Sequence, residues 1–424
     1  MNPALARCIV GSLRVTGPCQ EPLARLGNFG RPEWERTLSW LDDSGLALYL
    51  LERVDRAGAH SAVPESIRAR LRQNLASNRQ RLAEMKREFE FFNGRFEAAG
   101  VEFAALKGFA LVPDFCPDAA LRLQYDYDYL VRPECEEIAR RTLQTAGYAH
   151  KVQSPGREPQ GAALFVSEPL SLPSADQDFY GAALPRRVEL HQGLWEPSGD
   201  RVRPDVPRDV LDRRRPVESQ GMRFPALADE DALLFQVLHA FHHMLDHWCR
   251  PACFLEIAYF VSRQHARDPF WDRFRSRVED RRYLPEIAGL VFSMATTLFG
   301  APVPDEVARW SARSSVLPLW VREYGERWAV APFPGSKLSL FMHSEFVGDP
   351  GVWKSVRRSR LLPLHRPAQV AEAGSDGVAS RWNAKWDQWR FVLRRVKFHL
   401  GALLNYAWHL PHWKRALRGV RERP

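Results

Sequence analysis

The middle of the chain changes from a helical to a strand-like pattern at Val101, and this change constrains the fold more than any other feature. Short apolar runs follow, bounded by Gly, Pro or a helical stretch: VEFAAL, YDYDYLV, GYAHKV, ALFV and RRVEL. The segment PECEEIARRTLQTAG, between the second and third runs, has helical periodicity and ends at Gly147, which favours helix termination. Strands that alternate with helices indicate an α/β layer. We therefore predict an α+β protein with an α/β core over residues 91–225.

Helical patterns occupy both sides of this core. Apolar residues recur three and four positions apart in LSWLDDSGLALYLLERV and again from Ile67 to Phe92, which predicts an N-terminal helical region over residues 1–90. After Ala228, DEDALLFQVLHAFHHMLDHW begins with acidic residues, which favour a helix N-terminus, so residues 226–364 are predicted to form a helical domain. Residues 365–380 are rich in Ala, Gly, Ser and Pro and are predicted to be a linker.

The net charge of +9 is concentrated at the C-terminal end. Residues 381–424 contain eleven Lys or Arg against Asp387 and Glu422, so this segment accounts for the whole excess and the rest is neutral. Trp382, Trp386 and Trp389 stand at helical spacing among these basic residues, which predicts a basic amphipathic helical tail. Such a helix can lie on an anionic membrane surface, contact nucleic acid or pack against its own protein.

The remaining composition is that of an ordinary soluble globular protein, with 45% hydrophobic and 26% charged residues. Six scattered cysteines without a secretory leader argue against a disulfide framework and favour a reduced compartment. No apolar run approaches the roughly 20 residues that a membrane-spanning helix needs. We therefore expect a cytoplasmic protein, either free or attached to a membrane surface through its tail.

The strand LRLQYDYDYLV contains the most informative pair of side chains. Because strand side chains alternate between faces, Asp126 and Asp128 are predicted to point one way and the tyrosines around them the other. Two carboxylates on one face repel unless a cation neutralises them, and carboxylate oxygens suit Mg²⁺ or Mn²⁺. The alternative is an edge strand whose acidic face is simply exposed to solvent.

The longer segment LKGFALVPDFCPDAALRLQYDYDYLV favours the metal interpretation, because here the chain resembles the DNA polymerase β-like nucleotidyltransferases. The resemblance is to a bacterial branch with a Leu-Lys-Gly turn, an Arg before the strand and an Asp-x-Asp-x-Leu-Val ending. It extends to the strand RRVELH and to a His-bearing helix followed by LEIA, over roughly residues 35–330. It implies a polymerase β-like core with flanking helical domains.

The resemblance also implies roles for particular residues. Asp126, Asp128 and Glu189 would be the catalytic carboxylates that hold the metal, and Lys107 with Gly108 would form the turn that approaches the NTP triphosphate. Glu189 stands where an Asp is more frequent, and the turn reads Lys-Gly rather than Gly-Gly or Gly-Ser. The implied reaction passes a nucleoside monophosphate from an NTP to an acceptor hydroxyl. The alternative is a catalytically inactive nucleotide-binding or scaffolding protein.

Further candidate binding residues surround this set. Arg122 is a second candidate phosphate contact, and His191 shares the strand face of Glu189, where it is either a ligand contact or a satisfied strand histidine.

The helix after Ala228 has histidines at i, i+4 and i+8, namely His239, His243 and His247, which with Cys249 or Cys253 could hold zinc. Simple packing and nucleotide or acceptor contact, the latter through His242 and His243, are the other interpretations. A buried Glu256 is expected to pair with a His or an Arg.

Overall fold

The computed structural model describes residues 1–150, 163–167, 180–181, 186–196, 199–246, 250–264, 268–331, 337–362 and 378–421. His247, Cys249, most of the predicted linker and the side chain of Trp382 lie outside this description. Within it, the chain forms a mixed α/β structure with a seven-stranded sheet and flanking helices, as the sequence predicted.

The N-terminal part is helical, and its longest helix supports the sheet. The apolar residues from Ile67 to Phe96 recur at helical spacing and are buried along one side of this helix, which explains why a 34-residue helix is stable here. The five helices are α1 (Pro3–Ser12), α2 (Gln20–Arg25), α3 (Arg31–Asp43), α4 (Ala47–Arg56) and α5 (Glu65–Ala98).

Each of the five apolar runs contains a strand. The elements of this region are β1 (Phe103–Ala105), β2 (Asp126–Val131), α6 (Glu136–Thr145), β3 (Tyr148–His150), β4 (Ala163–Ser167), β5 (Arg187–His191), β6 (Arg215–Ser219) and β7 (Met222–Ala226). Their order across the sheet is β3-β4-β5-β2-β1-β7-β6, so β2 is the central strand and not an edge strand. The edge-strand alternative for Asp126 and Asp128 is therefore wrong.

The sheet contains both parallel and antiparallel pairs of neighbouring strands. Strand β2 runs parallel to β5 and β1 runs parallel to β7, whereas the other neighbours are antiparallel. The sequence did not predict the hairpin β6–β7. Its turn places Gln220 at φ 53° and Gly221 at φ 74°, the left-handed conformations of a tight two-residue hairpin turn.

One face of β2 is fixed to α5 by tyrosines. The hydroxyl of Tyr127 donates to Oε2 of Glu88 at 2.7 Å, and that of Tyr129 donates to Oδ1 of Asn93 at 3.0 Å. The ring of Phe89 stacks on Tyr129 with centroids 5.8 Å apart. The tyrosines therefore face the helical side, and the alternating acids face the opposite side of the sheet.

The part after the sheet is again helical. None of the described helices combines the length and the apolar character needed to cross a membrane. The helices are α7 (Asp229–Leu245), α8 (Ala252–Gln264), α9 (Asp268–Val278), α10 (Leu284–Phe299), α11 (Asp305–Ala308), α12 (Val316–Trp320), α13 (Glu326–Ala329), α14 (Leu340–His343), α15 (Pro350–Leu361) and α16 (Val378–Arg421).

Candidate active site

Three carboxylates share one face at the centre of the sheet. Asp126 and Asp128 are two positions apart on β2, so their side chains leave the same face. Glu189 on β5 is the register partner of Asp128 in the parallel pair, which places the two side chains beside each other. The structure thus brings together the three acids for which the resemblance implied a metal-holding role.

Asp128 is already paired with two cationic side chains. The ammonium Nζ of Lys107 lies 2.7 Å from Oδ1 of Asp128, and Nε2 of His191 lies 3.1 Å from the same oxygen. His191 also approaches Glu189, with Nε2 3.8 Å from Oε2, while its Nδ1 is 3.5 Å from Oε1 of Glu196. The repulsion between neighbouring acids is therefore offset by built-in positive charge.

Burial and mutual repulsion give the three acids different protonation states. Burial raises the pKa of Glu189 to about 7, and the charges of Asp128 and Asp126 add to this rise. Burial also raises the pKa of Asp126, with Asp128 as the second cause. Burial acts in the same direction on Asp128, but Lys107 and His191 outweigh it and hold its pKa below the ordinary value. Asp128 is consequently the acid that stays ionised.

The two cations remain charged through the same contacts. Burial alone would lower the pKa of His191, but the hydrogen bonds to Asp128 and Glu196 raise it to about 9. Burial would also lower the pKa of Lys107, and the surrounding carboxylates, Asp128 first, raise it. At neutral pH the cluster therefore contains an ammonium and an imidazolium beside the ionised Asp128.

The other oxygen of Asp128 provides a test of whether a metal ion suits this site. Oδ2 is buried and has no hydrogen-bond partner among the described residues. An unpaired buried carboxylate oxygen is costly, and hard divalent cations take oxygen ligands. Ligand atoms of Asp128 and Glu189 lie within 4.8 Å of each other, and Asp126 stands on the same face. These donors fit Mg²⁺ or Mn²⁺.

The turn after β1 brings Lys107 into the site. Gly108 has φ 65°, a left-handed conformation that glycine adopts without strain. A Cβ atom at Gly108 would lie 2.2 Å from Nε2 of Gln124, whose amide in turn donates to the carbonyl of Asp126 at 3.0 Å. The positive φ therefore favours glycine here, and any other residue would also have to displace the side-chain amide of Gln124. A 3₁₀ helix of four residues, Gly108–Leu111, begins at this turn.

Arg122 forms a buried ion pair instead of facing solvent. Its Nε lies 3.1 Å from Oε1 of Glu256, and both side chains are almost inaccessible. Glu256 therefore has the arginine partner that the sequence led us to expect. The hydroxyl of Tyr49 approaches the same carboxylate oxygen at 3.3 Å. Arg122 still contributes positive charge near Asp126, since it lowers the pKa of that acid through space.

A second arginine near the acids was not anticipated from the sequence. Arg250 donates from Nη2 to the carbonyl oxygen of Leu123 at 3.1 Å, and its charge also lowers the pKa of Asp126. It lies between α7 and α8, in a connection with no recognisable motif. The nearby hydrophobic and histidine pattern of α7 is the only sequence signal close to it.

One face of α7 lines the site. The ring of Phe235 lies 5.8 Å from Nζ of Lys107, and the ring of His239 stacks on Phe235 at 6.2 Å. His243 follows one turn later, with its Nε2 3.1 Å from Nε2 of His239. His242 points elsewhere, with Nε2 3.0 Å from Oδ2 of Asp246. Of the predicted pair on this helix, His243 therefore belongs to the face towards Lys107 and His242 does not.

The histidine pair and Cys253 also form a possible metal-ligating group, since one ligand atom of each lies within 4.8 Å of the others. Burial lowers the pKa of both imidazoles, and the charges of Lys107 and Arg250 lower it further. The same two positive charges oppose a divalent ion. Burial raises the pKa of Cys253 to about 11, so zinc binding here would have to displace the proton of this thiol. We therefore interpret the pair as neutral imidazoles that line the acidic site.

The comparisons with known proteins give one family match, which covers the segment that carries this site. A family model described as an uncharacterised nucleotidyltransferase matches residues 31–300, which is more than half of the chain. The match includes every residue described above, from Lys107 to Glu256. No curated protein matches the chain.

Proposed function

Because the chain belongs to this nucleotidyltransferase family, we propose that it transfers a nucleoside monophosphate from an NTP to an acceptor hydroxyl and releases pyrophosphate. The observation that carries the proposal is the buried Oδ2 of Asp128, which lacks a partner among the described residues and stands beside Glu189 and Asp126. Such an arrangement is costly in an empty protein and becomes favourable when a divalent cation and a triphosphate are bound.

Asp126, Asp128 and Glu189 would hold Mg²⁺ or Mn²⁺. When bound, these ions would activate the attacking oxygen and stabilise the leaving pyrophosphate. Asp128 is suited to this role because it remains ionised, and Asp126 because its side chain leaves the same face of β2. Glu189 would complete the set next to Asp128 once it has lost its proton.

The cationic residues would bind the triphosphate. Lys107 places an ammonium group at the acids, and Gly108 permits the turn that delivers it. His191 is protonated at neutral pH and would attract the phosphates through its charge, since its two ring nitrogens already contact Asp128 and Glu196. Arg250 adds positive charge near Asp126 and is a further phosphate candidate. Arg122 would act mainly by fixing the segment before β2 through Glu256.

The α7 face would meet the acceptor. His239 and His243 are neutral because burial and nearby cations lower the pKa of each, so an imidazole nitrogen is able to accept a hydrogen bond from a hydroxyl group. Phe235 closes the apolar side of the same face. An acceptor bound here would approach the acids from the side opposite the Tyr127 and Tyr129 contacts.

The direct test is to incubate the purified protein with each labelled NTP in turn, with Mg²⁺ or Mn²⁺, and with either no addition or a cell extract as acceptor source. We expect pyrophosphate release and transfer of label to an acceptor for at least one NTP. The variant Asp128→Asn should abolish both signals. Asp280→Asn is the matched control, because Asp280 is exposed and remote from the site.

The two remaining outcomes separate the alternatives. Divalent-dependent NTP binding without pyrophosphate release, under all acceptor conditions, would identify a nucleotide-binding or scaffolding protein. Binding that is equal in the parent and in Asp128→Asn would show that the acids do not hold the nucleotide's metal.

A further inference from the structure

The C-terminal helix α16 has two apolar faces. One face packs against α14, where the ring of Phe341 stacks on Tyr406 at 4.7 Å and on Trp413 at 5.3 Å. Tyr324 contacts the ring of His409 at 5.4 Å. Ala402, Tyr406, His409 and Trp413 follow one another at intervals of four, three and four residues, which is one side of a helix. The second half of α16 is therefore docked, but through Tyr406 and Trp413 and not through Trp386 and Trp389, which the sequence singled out and which are exposed.

The opposite face remains uncovered. We call it the outward stripe: Trp386, Trp389, Leu393, Val396, Leu400, Leu404 and Trp408, each between 55% and 82% exposed. The intervals of three and four residues place them on one side of the helix. Leu404 and Tyr406 are two positions apart, or about 200° around the axis, so the stripe points away from the docked face.

The stripe is unusual within this protein. Eight of the twelve large apolar side chains that are exposed in the described part lie on α16, and seven of these eight form the stripe. From Trp386 to Trp408 it extends over about 33 Å at the rise of an α-helix. A contiguous exposed apolar surface of this size marks an interaction site and is not ordinary surface composition.

Basic residues border the stripe on the same helix. Arg390 and Lys397 follow Trp389 and Val396 by one position, and Lys414, Arg415 and Arg418 continue the outward direction beyond Trp408. None of these five forms an ion pair with any described residue. Between residues 388 and 421 the sequence contains no Asp or Glu. The surface thus combines aliphatic side chains, tryptophans and unneutralised positive charge.

We propose that the outward stripe binds the surface of an anionic lipid bilayer, with α16 lying parallel to that surface. The aliphatic and indole side chains would enter the boundary between headgroups and acyl chains, and the bordering Lys and Arg would contact anionic headgroups. This proposal is independent of nucleotidyl transfer, because the stripe and the acidic site share no residue.

Charge and chemistry favour lipid over two other occupants. A second copy pairing through its own stripe would bring two basic borders together without any acidic partner on the helix. A nucleic acid could contact the basic residues and stack on the tryptophans, but it offers nothing to Leu393, Val396, Leu400 and Leu404. A lipid surface satisfies both the aliphatic and the basic part.

The test is co-sedimentation of the full-length protein with vesicles of phosphatidylcholine alone or mixed with phosphatidylglycerol. We expect binding to the mixed vesicles only, weakened by added salt because screening acts on the basic border. The double variant Leu393→Ser/Leu400→Ser should bind at least about tenfold more weakly, since two large apolar contacts are lost. Phe391→Ser/Val352→Ser is the matched control, as both residues are exposed but lie off the stripe.

Three results would overturn the proposal. The first is equal sedimentation of the stripe variant and the control variant. The second is a parent protein that is dimeric by sedimentation equilibrium, becomes monomeric in the stripe variant and ignores vesicles. The third is binding of an RNA or DNA oligonucleotide that the stripe variant loses, without vesicle binding by the parent. All variants change exposed side chains, so a melting curve equal to that of the parent confirms that they are folded.

Discussion

The ammonium group of Lys107 lies 2.7 Å from Oδ1 of Asp128, at a point where the lysine side chain is 9% exposed and the aspartate is fully buried. Breaking such a pair by removing one partner leaves an uncompensated charge inside the protein. Lys107 therefore supplies positive charge to Asp128 in the way that a bound cation would. Its removal should change both the stability and the activity of the protein.

The variant Lys107→Met should lower the free energy of unfolding by about 2 to 4 kcal/mol, because Asp128 then keeps only His191 as a cationic partner. Excess Mg²⁺ should recover part of this loss. Urea unfolding in EDTA and in Mg²⁺ measures both effects. Lys86→Met is the control, since Lys86 makes an exposed contact to the carbonyl of Gln220. Equal losses in the two variants would contradict the pairing.

The variants Asp126→Asn and Asp128→Asn should differ in stability although we propose the same metal-holding role for both acids. Asp128→Asn strands Lys107 and His191 and should cost about 2 to 4 kcal/mol. Asp126→Asn removes a charge that burial and Asp128 disfavour, so its stability should stay within about 1 kcal/mol of the parent or rise. Thermal melts in EDTA compare the two. A larger loss for Asp126→Asn would reverse our assignment of the stabilising acid.

The buried pair of Arg122 and Glu256 should behave as a structural unit. Arg122→Met alone should cost about 3 to 5 kcal/mol, and the double variant Arg122→Met/Glu256→Met should recover much of it, because both charges are then absent. A double-mutant cycle by urea unfolding gives the coupling energy. If Arg122 instead served chiefly to bind phosphate, its loss would raise the KM for NTP and leave stability nearly unchanged.

His343 should make the protein less stable in mild acid. Burial lowers the pKa of His343 to about 4, against 6.5 for an exposed histidine, and the hydrogen bond from its Nε2 to the carbonyl of Asp200 offsets only part of this. Between these pH values the unfolded chain binds a proton that the folded chain does not, so stability falls as pH falls. The loss is on the order of 3 kcal/mol from pH 6.5 to 4.

The variant His343→Gln should flatten this slope, because glutamine retains a donor for Asp200 and does not titrate. Urea unfolding across this pH range measures the slope for each protein. His60→Gln, on the surface, should leave it unchanged. A parent and a His343→Gln protein with the same slope would show that other groups cause the acid sensitivity.

The sequence predicted the parts of the fold that depend on local periodicity. The five apolar runs became strands, and the alternation in YDYDYLV correctly separated the acids from Tyr127 and Tyr129. The sequence did not predict the hairpin β6–β7 because RPVES and MRFPA are short and each contains a proline, which disfavours a strand assignment, although Gln220-Gly221 between them is a usable turn signal.

The site was harder to predict wherever it depends on contacts between distant segments. The pairing of Lys107 with Asp128 joins residues 21 positions apart, and Arg250 reaches Leu123 across 127 positions. Contacts between residues this far apart produce no periodicity or motif that a single sequence would show. The sequence suggests a phosphate contact for Arg122 because its partner Glu256 is 134 positions away and the ion pair is therefore not visible in the local pattern. The sequence left open whether the tail docks on the protein or binds another surface. Helical spacing alone does not show that α16 has one apolar face that docks and a second that stays exposed.

The hydroxyl contacts of Tyr127 and Tyr129 with α5 set where the carboxylates stand along β2. A strand has one backbone for both faces, so a shift of one residue, about 3.3 Å, would exchange tyrosines and acids between the two sides. Glu88 and Asn93 therefore fix the positions of Asp126 and Asp128 along β2, although they lie on the opposite side of the sheet from these acids. Substitution of Glu88 or Asn93 should therefore impair the proposed activity by displacing Asp126 and Asp128, although neither residue belongs to the acidic cluster.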